Sequence, residues 1–167
     1  FGTEDQKRRW LTPCASGERV AAFCLTEAGS GSDAQAMRTT AIPSEDGTHY
    51  VLSGEKIWIS NAGYAGVLTV FAKVPVEVDG KPKQRATAFI VDAHAPGVTL
   101  GHVEEKMGIK ASDTRTVSFE PFPSNRAGTA AANASNSSGS LKNELTEMRR
   151  SRRSASLSRP FARSNGK

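Results

Sequence analysis

The 167 residues of the chain are enough for one domain with a hydrophobic core and too few for two domains of ordinary size. The formal net charge of +5 invites a nucleic-acid interpretation, but the positive excess lies at one end. Residues 1–125 carry 13 Lys and Arg against 15 Asp and Glu, whereas residues 126–167 carry 9 against 2. The net charge therefore says nothing about what the folded part binds, and we expect no nucleic-acid partner.

The cysteines and histidines form neither a disulfide framework nor a zinc pattern. Cys14 and Cys24 lie ten positions apart without a CxxC pair, and the three histidines are scattered. We therefore predict no metal site and a reducing environment. No apolar run approaches the roughly 20 residues that a membrane-spanning helix needs. The chain begins at Phe1 inside a predicted helix, which we interpret as the start of a fragment.

A short helix is predicted first in the chain. Thr3 and Gln6 have the spacing of a capping box, in which each side chain satisfies a main-chain amide at the start of a helix. We expect this helix to end near Pro13, because a proline inside a helix removes a hydrogen bond.

From Arg19 onward the pattern changes to short runs rich in Val, Ile, Thr and aromatic residues, which predict strands: VAAFCLT, MRTTAI, THYVLS, KIWIS, VLTVFAKV, ATAFIV, GVTLGHV and TRTVSF. Three dipeptides between such runs are typical hairpin turns: Asp46-Gly47, Ser53-Gly54 and Asp79-Gly80. The spacing leaves no room for crossover helices. It predicts a mainly β fold, an antiparallel β-barrel or sandwich preceded by a short N-terminal helix.

Residues 125–167 have the composition of a low-complexity basic tail. Nine serines, few apolar residues and closely spaced like charges predict that most of it is disordered, with a short helix around Leu141–Met148. The cluster RRSRR at 149–153 has two interpretations, a nuclear-localisation or nucleic-acid-binding patch and a solvated, unstructured tail. We favour the second.

The most informative segment is Phe23–Asp33, in which a predicted strand runs into a Gly/Ser loop. Gly29 and Gly31 let main-chain amides approach a phosphate closely, and the Thr and Ser hydroxyls of the loop can donate to its oxygens. The same GSGS sequence also makes an ordinary turn, so that the loop by itself leaves both interpretations open.

A second informative segment is Gly54–Asn61, which places Trp58 and Ser60 on the same side of a strand because side chains alternate in β structure. Such a face suits a flat aromatic ring, with Trp58 packing against it and Ser60 bonding its heteroatoms. The alternative is a core tryptophan, which is the more common fate of a strand tryptophan.

Together these segments resemble the acyl-CoA dehydrogenase family. The match runs from Phe1 to about Ser124 and is closest to the very-long-chain branch; its blocks are FGTEDQKRRWL, ASGERVAAFCLTEAGSGSDA, GEKIWISNAG, VFAK, ATAFIVD, EEKMGIKASDT and VSFE. The resemblance implies that residues 1–18 end an N-terminal helical domain and that residues 19–124 form the middle β-domain. Residues 125–167 then form a divergent tail.

The resemblance also implies an FAD cofactor. The Thr26 hydroxyl would lie near the flavin, and Gly31 with Ser32 near the pyrophosphate, where Ser32 would also contact the acyl-CoA. Trp58 to Ser60 would lie along the flavin ring. The cofactor-binding residues implied in this way are Phe23, Cys24, Leu25, Thr26, Gly31, Ser32, Trp58, Ile59 and Ser60.

The family's reaction is α,β-dehydrogenation of fatty acyl-CoA in β-oxidation, in which a carboxylate removes the α proton and the β hydrogen leaves as hydride to the flavin. The base is a glutamate of the C-terminal helical domain. No glutamate of this sequence matches it, so we assign no catalytic residue and expect the chain to be inactive alone. The resemblance further implies long-chain acyl-CoA as substrate, electron-transfer flavoprotein as partner, a homodimeric parent and a mitochondrial location.

An alternative from another class is a non-catalytic β scaffold whose basic tail binds an acidic partner, such as nucleic acid or an anionic membrane. Binding driven by the tail should weaken steeply with ionic strength and survive the loss of Trp58 or Ser32, whereas flavin binding should depend on those residues.

Overall fold

The computed structural model describes residues 2–44 and 48–120, together with the backbone of Ala131–Asn133. All of these residues fall within one compact unit, Phe1–Ser135. The predicted Asp46-Gly47 turn lies outside the described residues, as do the predicted helix around Leu141–Met148, the RRSRR cluster and most of the predicted disordered tail. No helix in the described part of the chain is long and apolar enough to cross a membrane.

The N-terminal segment is helical and begins at the predicted capping box. Its first turn, α1, covers Glu4–Gln6. The Gln6 amide donates to the Thr3 hydroxyl at 3.2 Å, and the Thr3 amide donates to the Gln6 side-chain oxygen at 2.9 Å. Both halves of the box are therefore present, and this prediction is confirmed.

The helix ends at Ala15, two residues beyond Pro13 and close to its predicted end. A π-helical turn at Lys7–Leu11 is followed by a second α-helical turn, α2, at Thr12–Ala15. The Thr12 amide bonds the Lys7 carbonyl five residues back, and Pro13 sits in the first turn of α2. At that position its missing amide hydrogen costs least. Gly17, with a φ of 79°, then ends the helix in the left-handed conformation that suits glycine.

The rest of the described chain is mostly strands, which confirms the mainly β fold class. The strands are β1 Val20–Cys24, β2 Thr40–Pro43, β3 Tyr50–Ser60, β4 Ala65–Val78, β5 Lys81–Asp92, β6 Val98–Val103, β7 Thr114–Phe119 and β8 Ala131–Asn133. A short 3-10 helix, Ala34–Ala36, lies between β1 and β2.

The strands form one mixed sheet in the order β6-β7-β3-β2-β4-β5-β8, with β1 paired to β4. Most pairings are antiparallel, as predicted, but β1 and β2 each run parallel to β4. The pairing path does not close among the strands that the structure describes. Apolar side chains from several strands make the core, of which Leu68, Val70, Phe89 and Val117 are fully buried.

Two of the predicted turns can be compared with the structure, and one of them is wrong. Asp79 and Gly80 join β4 to β5 with φ values of 54° and 70°, as a tight hairpin requires. Gly54 instead lies inside β3, where the strand leaves β2 and begins to pair with β7. Its φ of 142° and its close approach to Thr39 explain the glycine without a turn.

Three residues of the segment that we predicted to be disordered form a strand. Ala131–Asn133 pair antiparallel with Ala88–Ile90 of β5. The edge of β5 offers main-chain donors and acceptors that any added strand can satisfy, and composition does not reveal such an edge.

Candidate functional site

The two segments singled out from the sequence lie side by side. The Ile57 amide donates to the Thr26 carbonyl oxygen at 2.9 Å. The Lys56 ammonium donates to the Leu25 carbonyl oxygen at 3.1 Å. The Gly/Ser loop, residues 25–33, follows β1 and is therefore attached to β3 just before Trp58.

The Gly/Ser loop begins with a tight turn. Glu27 and Ser30 exchange two main-chain hydrogen bonds of 3.0 and 3.1 Å, and the Ser30 hydroxyl donates to the Asp33 carbonyl oxygen at 2.8 Å. Gly29 and Gly31 face open space, with no atom within 4 Å of the position that a Cβ would occupy. The loop is thus an ordered turn whose glycine backbone stays accessible.

A β-bulge turns Trp58 outward. Between Lys56 and Ile59, β3 has one residue more than β7, and Trp58 has a φ of 56°. Lys56 and Ile59 both face the core, while Trp58 is 63% exposed and Ser60 is also exposed. The alternative of a core tryptophan is excluded, and Trp58 and Ser60 share the solvent face.

The other predicted cofactor residues differ in what they offer to a ligand. Phe23 is 60% exposed and its ring lies 5.0 Å from that of Phe71, whereas Leu25 and Thr26 are half-buried. Cys24 and Ile59 have buried side chains, so that a ligand on this surface would meet only their main chains. Burial raises the pKa of the Cys24 thiol to about 12, against the weaker effect of the nearby Lys56 charge.

Within the described residues, the hydroxyls of Thr26, Ser32 and Ser60 make no hydrogen bond to protein. Each lies on an element of the site, the first two on the Gly/Ser loop and the third beside Trp58. These hydroxyls are available as donors or acceptors to a bound molecule.

A buried ion pair that the sequence analysis missed lies beneath the site. The Lys56 ammonium contacts the Glu27 carboxylate at 2.7 Å, with side-chain exposures of 0% and 8%. Burial by itself would raise the pKa of Glu27, but hydrogen bonds from Lys56, Thr39 and Arg38 lower it to about 2. Burial lowers the pKa of Lys56, and Glu27 partly offsets that effect. A lysine directly before the apolar run Ile57 to Ile59 was the available sequence signal.

A second carboxylate fixes the turn that follows Ser60. Asp113 accepts from the Gly63 amide at 2.6 Å and from the Arg115 guanidinium at 2.7 Å, and its carbonyl accepts from the Asn61 amide at 2.8 Å. Burial would raise the pKa of Asp113, but these donors hold it below its ordinary value. Among the described residues, no group of three or more His, Cys, Asp and Glu could hold a metal ion.

The fold and the site define a β-domain with an accessible Gly/Ser loop beside an exposed aromatic face, an arrangement suited to a ligand with phosphates and a flat ring. Residues 22–122 match the middle domain of acyl-CoA dehydrogenases. The chain belongs to the acyl-CoA dehydrogenase family.

Two curated relatives illustrate the match in sequence. The very long-chain specific acyl-CoA dehydrogenase of human mitochondria is 54% identical over 122 residues, which are 72% of this chain and 19% of that protein. A probable acyl-CoA dehydrogenase of Bacillus subtilis is 54% identical over 117 residues, 70% of this chain and 18% of that protein. The chain therefore spans about a fifth of the length of these relatives.

Two solved structures illustrate the match in fold. An acyl-CoA dehydrogenase of Bacillus anthracis complexed with FAD aligns with a TM-score of 0.65 at 49% identity, over 72% of this chain and 20% of that one. A glutaryl-CoA dehydrogenase of Mycobacterium smegmatis in complex with FADH2 aligns with a TM-score of 0.68 at 29% identity, over 88% of this chain and 35% of that one.

The residues present fit a flavin dinucleotide. Trp58 and Phe23 expose aromatic surface, three hydroxyls are unpaired within the described chain, and the Gly29 and Gly31 backbone is open. Aromatic surface suits the flavin ring, and accessible glycine amides suit a pyrophosphate.

Proposed function

We propose that the chain binds FAD and supplies the flavin-facing surface of an acyl-CoA dehydrogenase. The observation that carries this proposal is the contact between the Ile57 amide and the Thr26 carbonyl oxygen, which joins the Gly/Ser loop to the strand that exposes Trp58. This juxtaposition offers one ligand both an aromatic face and open glycine amides.

Each predicted cofactor residue keeps a role in the proposal. The Thr26 hydroxyl bonds the flavin, and the Gly31 and Ser32 end of the loop bonds the pyrophosphate, with Ser32 also facing the acyl-CoA. Trp58 packs along the flavin ring beside Ser60. Cys24 and Ile59 contribute main-chain atoms, since their side chains are buried. Phe23 and Leu25 supply apolar contact at the edge.

When bound, the flavin supplies the hydride acceptor for α,β-dehydrogenation of a fatty acyl-CoA thioester. The chain's part is to bind and orient the cofactor. We propose long-chain acyl-CoA as the substrate of the whole enzyme, electron-transfer flavoprotein as its electron acceptor and a homodimer as its assembly. Relatives named as mitochondrial support a mitochondrial location.

We propose residues 1–18 as the end of a helical domain, residues 19–124 as the middle domain and residues 125–167 as a divergent tail. The 167-residue polypeptide alone should have no dehydrogenase activity, since none of its glutamates matches the family's base. Bleaching of bound flavin by a long-chain acyl-CoA added to the purified polypeptide would contradict this expectation.

The test of FAD binding is a titration of the purified chain, followed by the visible absorbance and fluorescence of the flavin. We expect Trp58→Ala to weaken binding about fivefold or more, because stacking on an aromatic ring is lost, about 1–3 kcal/mol. Leu11→Ala is the matched control: Leu11 is 59% exposed but lies in the helical segment. Its affinity for FAD should equal that of the wild type.

Absence of FAD binding by the folded wild-type chain would overturn the proposal. Binding that Trp58→Ala leaves unchanged and that added salt abolishes would point instead to the basic tail.

A further inference from the structure

The Gly/Ser loop carries no buried apolar side chain. Between residues 25 and 33 the buried side chains are Glu27 and Ser30, both polar, whereas Leu25 is half-buried. Ser30 bonds within the loop, to the Asp33 carbonyl oxygen. The attachment of the loop to the sheet by side chains therefore falls to Glu27.

The Glu27 carboxylate is held by donors from two directions. One oxygen accepts from the Lys56 ammonium of β3 at 2.7 Å and from the Thr39 amide at 3.0 Å. The other accepts from the Arg38 amide at 2.6 Å. The carboxylate thus ties the start of the loop both to β3 and to the segment that leads into β2.

Lys56 completes the connection from the other side. Its ammonium donates hydrogen bonds to the Leu25 carbonyl oxygen and to the Glu27 carboxylate, and so contacts the residues on both sides of Thr26. Lys56 also lies directly before the bulge that turns Trp58 outward. The buried pair therefore acts together with the bond from the Ile57 amide to the Thr26 carbonyl oxygen in attaching the loop beside the exposed tryptophan.

Such a pair is not explained by stability alone. Replacing a buried ion pair with apolar residues of similar volume often leaves stability unchanged or raises it, because desolvation of both charges opposes their attraction. What apolar residues cannot reproduce is the directional set of hydrogen bonds.

We infer that Glu27 and Lys56 are positioning residues for the flavin: through their buried contact they hold the Gly/Ser loop at the distance from Trp58 that FAD binding requires. This inference rests on the proposed function. Neither residue contacts the cofactor in it.

The test compares stability with FAD affinity in the apolar double variant Glu27→Leu/Lys56→Met. We expect a folded chain with the wild-type far-UV circular dichroism that binds FAD at least tenfold more weakly than the wild type does. The visible circular dichroism of the residual bound flavin should also change, since its surroundings are rearranged. Glu55→Gln is the control: Glu55 neighbours Lys56 but is exposed, bonding Ser118 at 3.0 Å. It should bind FAD as the wild type does.

Wild-type FAD affinity in the folded double variant would overturn the inference and leave the proposed function standing. Absence of FAD binding by the wild-type chain would overturn both. If the double variant does not fold, the inference is tested with Glu27→Asp. Aspartate keeps the charge but is one methylene shorter, so its carboxylate lies further from Lys56. Weaker FAD binding by folded Glu27→Asp supports the inference, and unchanged affinity overturns it.

Discussion

The main-chain amide of Ile57 lies 2.9 Å from the carbonyl oxygen of Thr26 and donates to it. This contact joins two segments that are far apart in the chain, and the side chains on either side of it have different environments. Lys56 is buried, whereas Trp58 is exposed. The consequences of this arrangement can be measured in stability as well as in binding.

Truncation of Ile59 to alanine should destabilise the fold much more than truncation of its neighbour Trp58. Ile59 is 2% exposed, so Ile59→Ala should lower the free energy of unfolding by about 2–5 kcal/mol through lost burial and a cavity. Trp58 is largely in solvent, and Trp58→Ala should change the free energy of unfolding by less than about 1 kcal/mol. Urea denaturation of both variants measures the difference. A larger loss in Trp58→Ala would mean that the bulge does not turn Trp58 outward.

Gly54→Ala should be strongly destabilising. A Cβ on Gly54 would lie 2.6 Å from the Thr39 hydroxyl oxygen and 2.8 Å from its Cα, in a backbone with a φ of 142°. We expect a loss of roughly 2 kcal/mol or more in the free energy of unfolding. Gly29→Ala is the control, since its Cβ would meet nothing within 4 Å and its φ is not positive. Equal stability of the two variants would contradict the path of β3.

The Glu27 carboxylate should make stability depend on acid pH. Its pKa is lowered from 4.5 to about 2 in the folded chain, so the folded state holds the ionised form more strongly than the unfolded state does. This stabilisation is present above a pH of about 4.5 and is lost as the pH falls through about 2; it amounts to at most about 3 kcal/mol.

Chemical unfolding at a series of acid pH values measures this effect. Glu27→Gln should show a shallower fall in the free energy of unfolding across that window than the wild type, whereas Glu55→Gln should keep the wild-type slope. Identical slopes in wild type and Glu27→Gln would show that Glu27 is not paired in solution.

The two cysteines should differ in reactivity. Cys14 is half-buried, whereas Cys24 is fully buried, and burial raises the pKa of its thiol to about 12. The thiolate is the reacting form, so at about pH 8 a thiol reagent should modify Cys14 in the native chain and both cysteines in denaturant. Mass spectrometry identifies the modified residue. Rapid modification of Cys24 in the native chain would contradict the packing of β1 against β4.

Local patterns in the sequence were sufficient wherever a few neighbouring residues decide the structure. The capping box of Thr3 and Gln6 and the turn at Asp79-Gly80 depend on local hydrogen bonds and backbone conformation, and both are as predicted. The family was also evident from the sequence, because the order and spacing of its blocks can be recognised without knowing which residues are in contact.

Predictions that depended on distant partners were incomplete or wrong. Gly54 has the sequence context of a turn, but it allows the close approach of Thr39, which lies directly before β2. That contact cannot be read from a local pattern.

The sequence by itself determined the strand-rich composition of this protein, its first helical turn and its family. Tertiary structure decided which side chains the site offers. In a regular strand Lys56, Trp58 and Ser60 would share one face, and the bulge opposite β7 separates the buried lysine from the exposed tryptophan. That separation depends on two sets of contacts. Lys56 is buried against Glu27 and the Leu25 carbonyl, and β3 pairs with β7. These partners are distant in the sequence, so only folding brings them together.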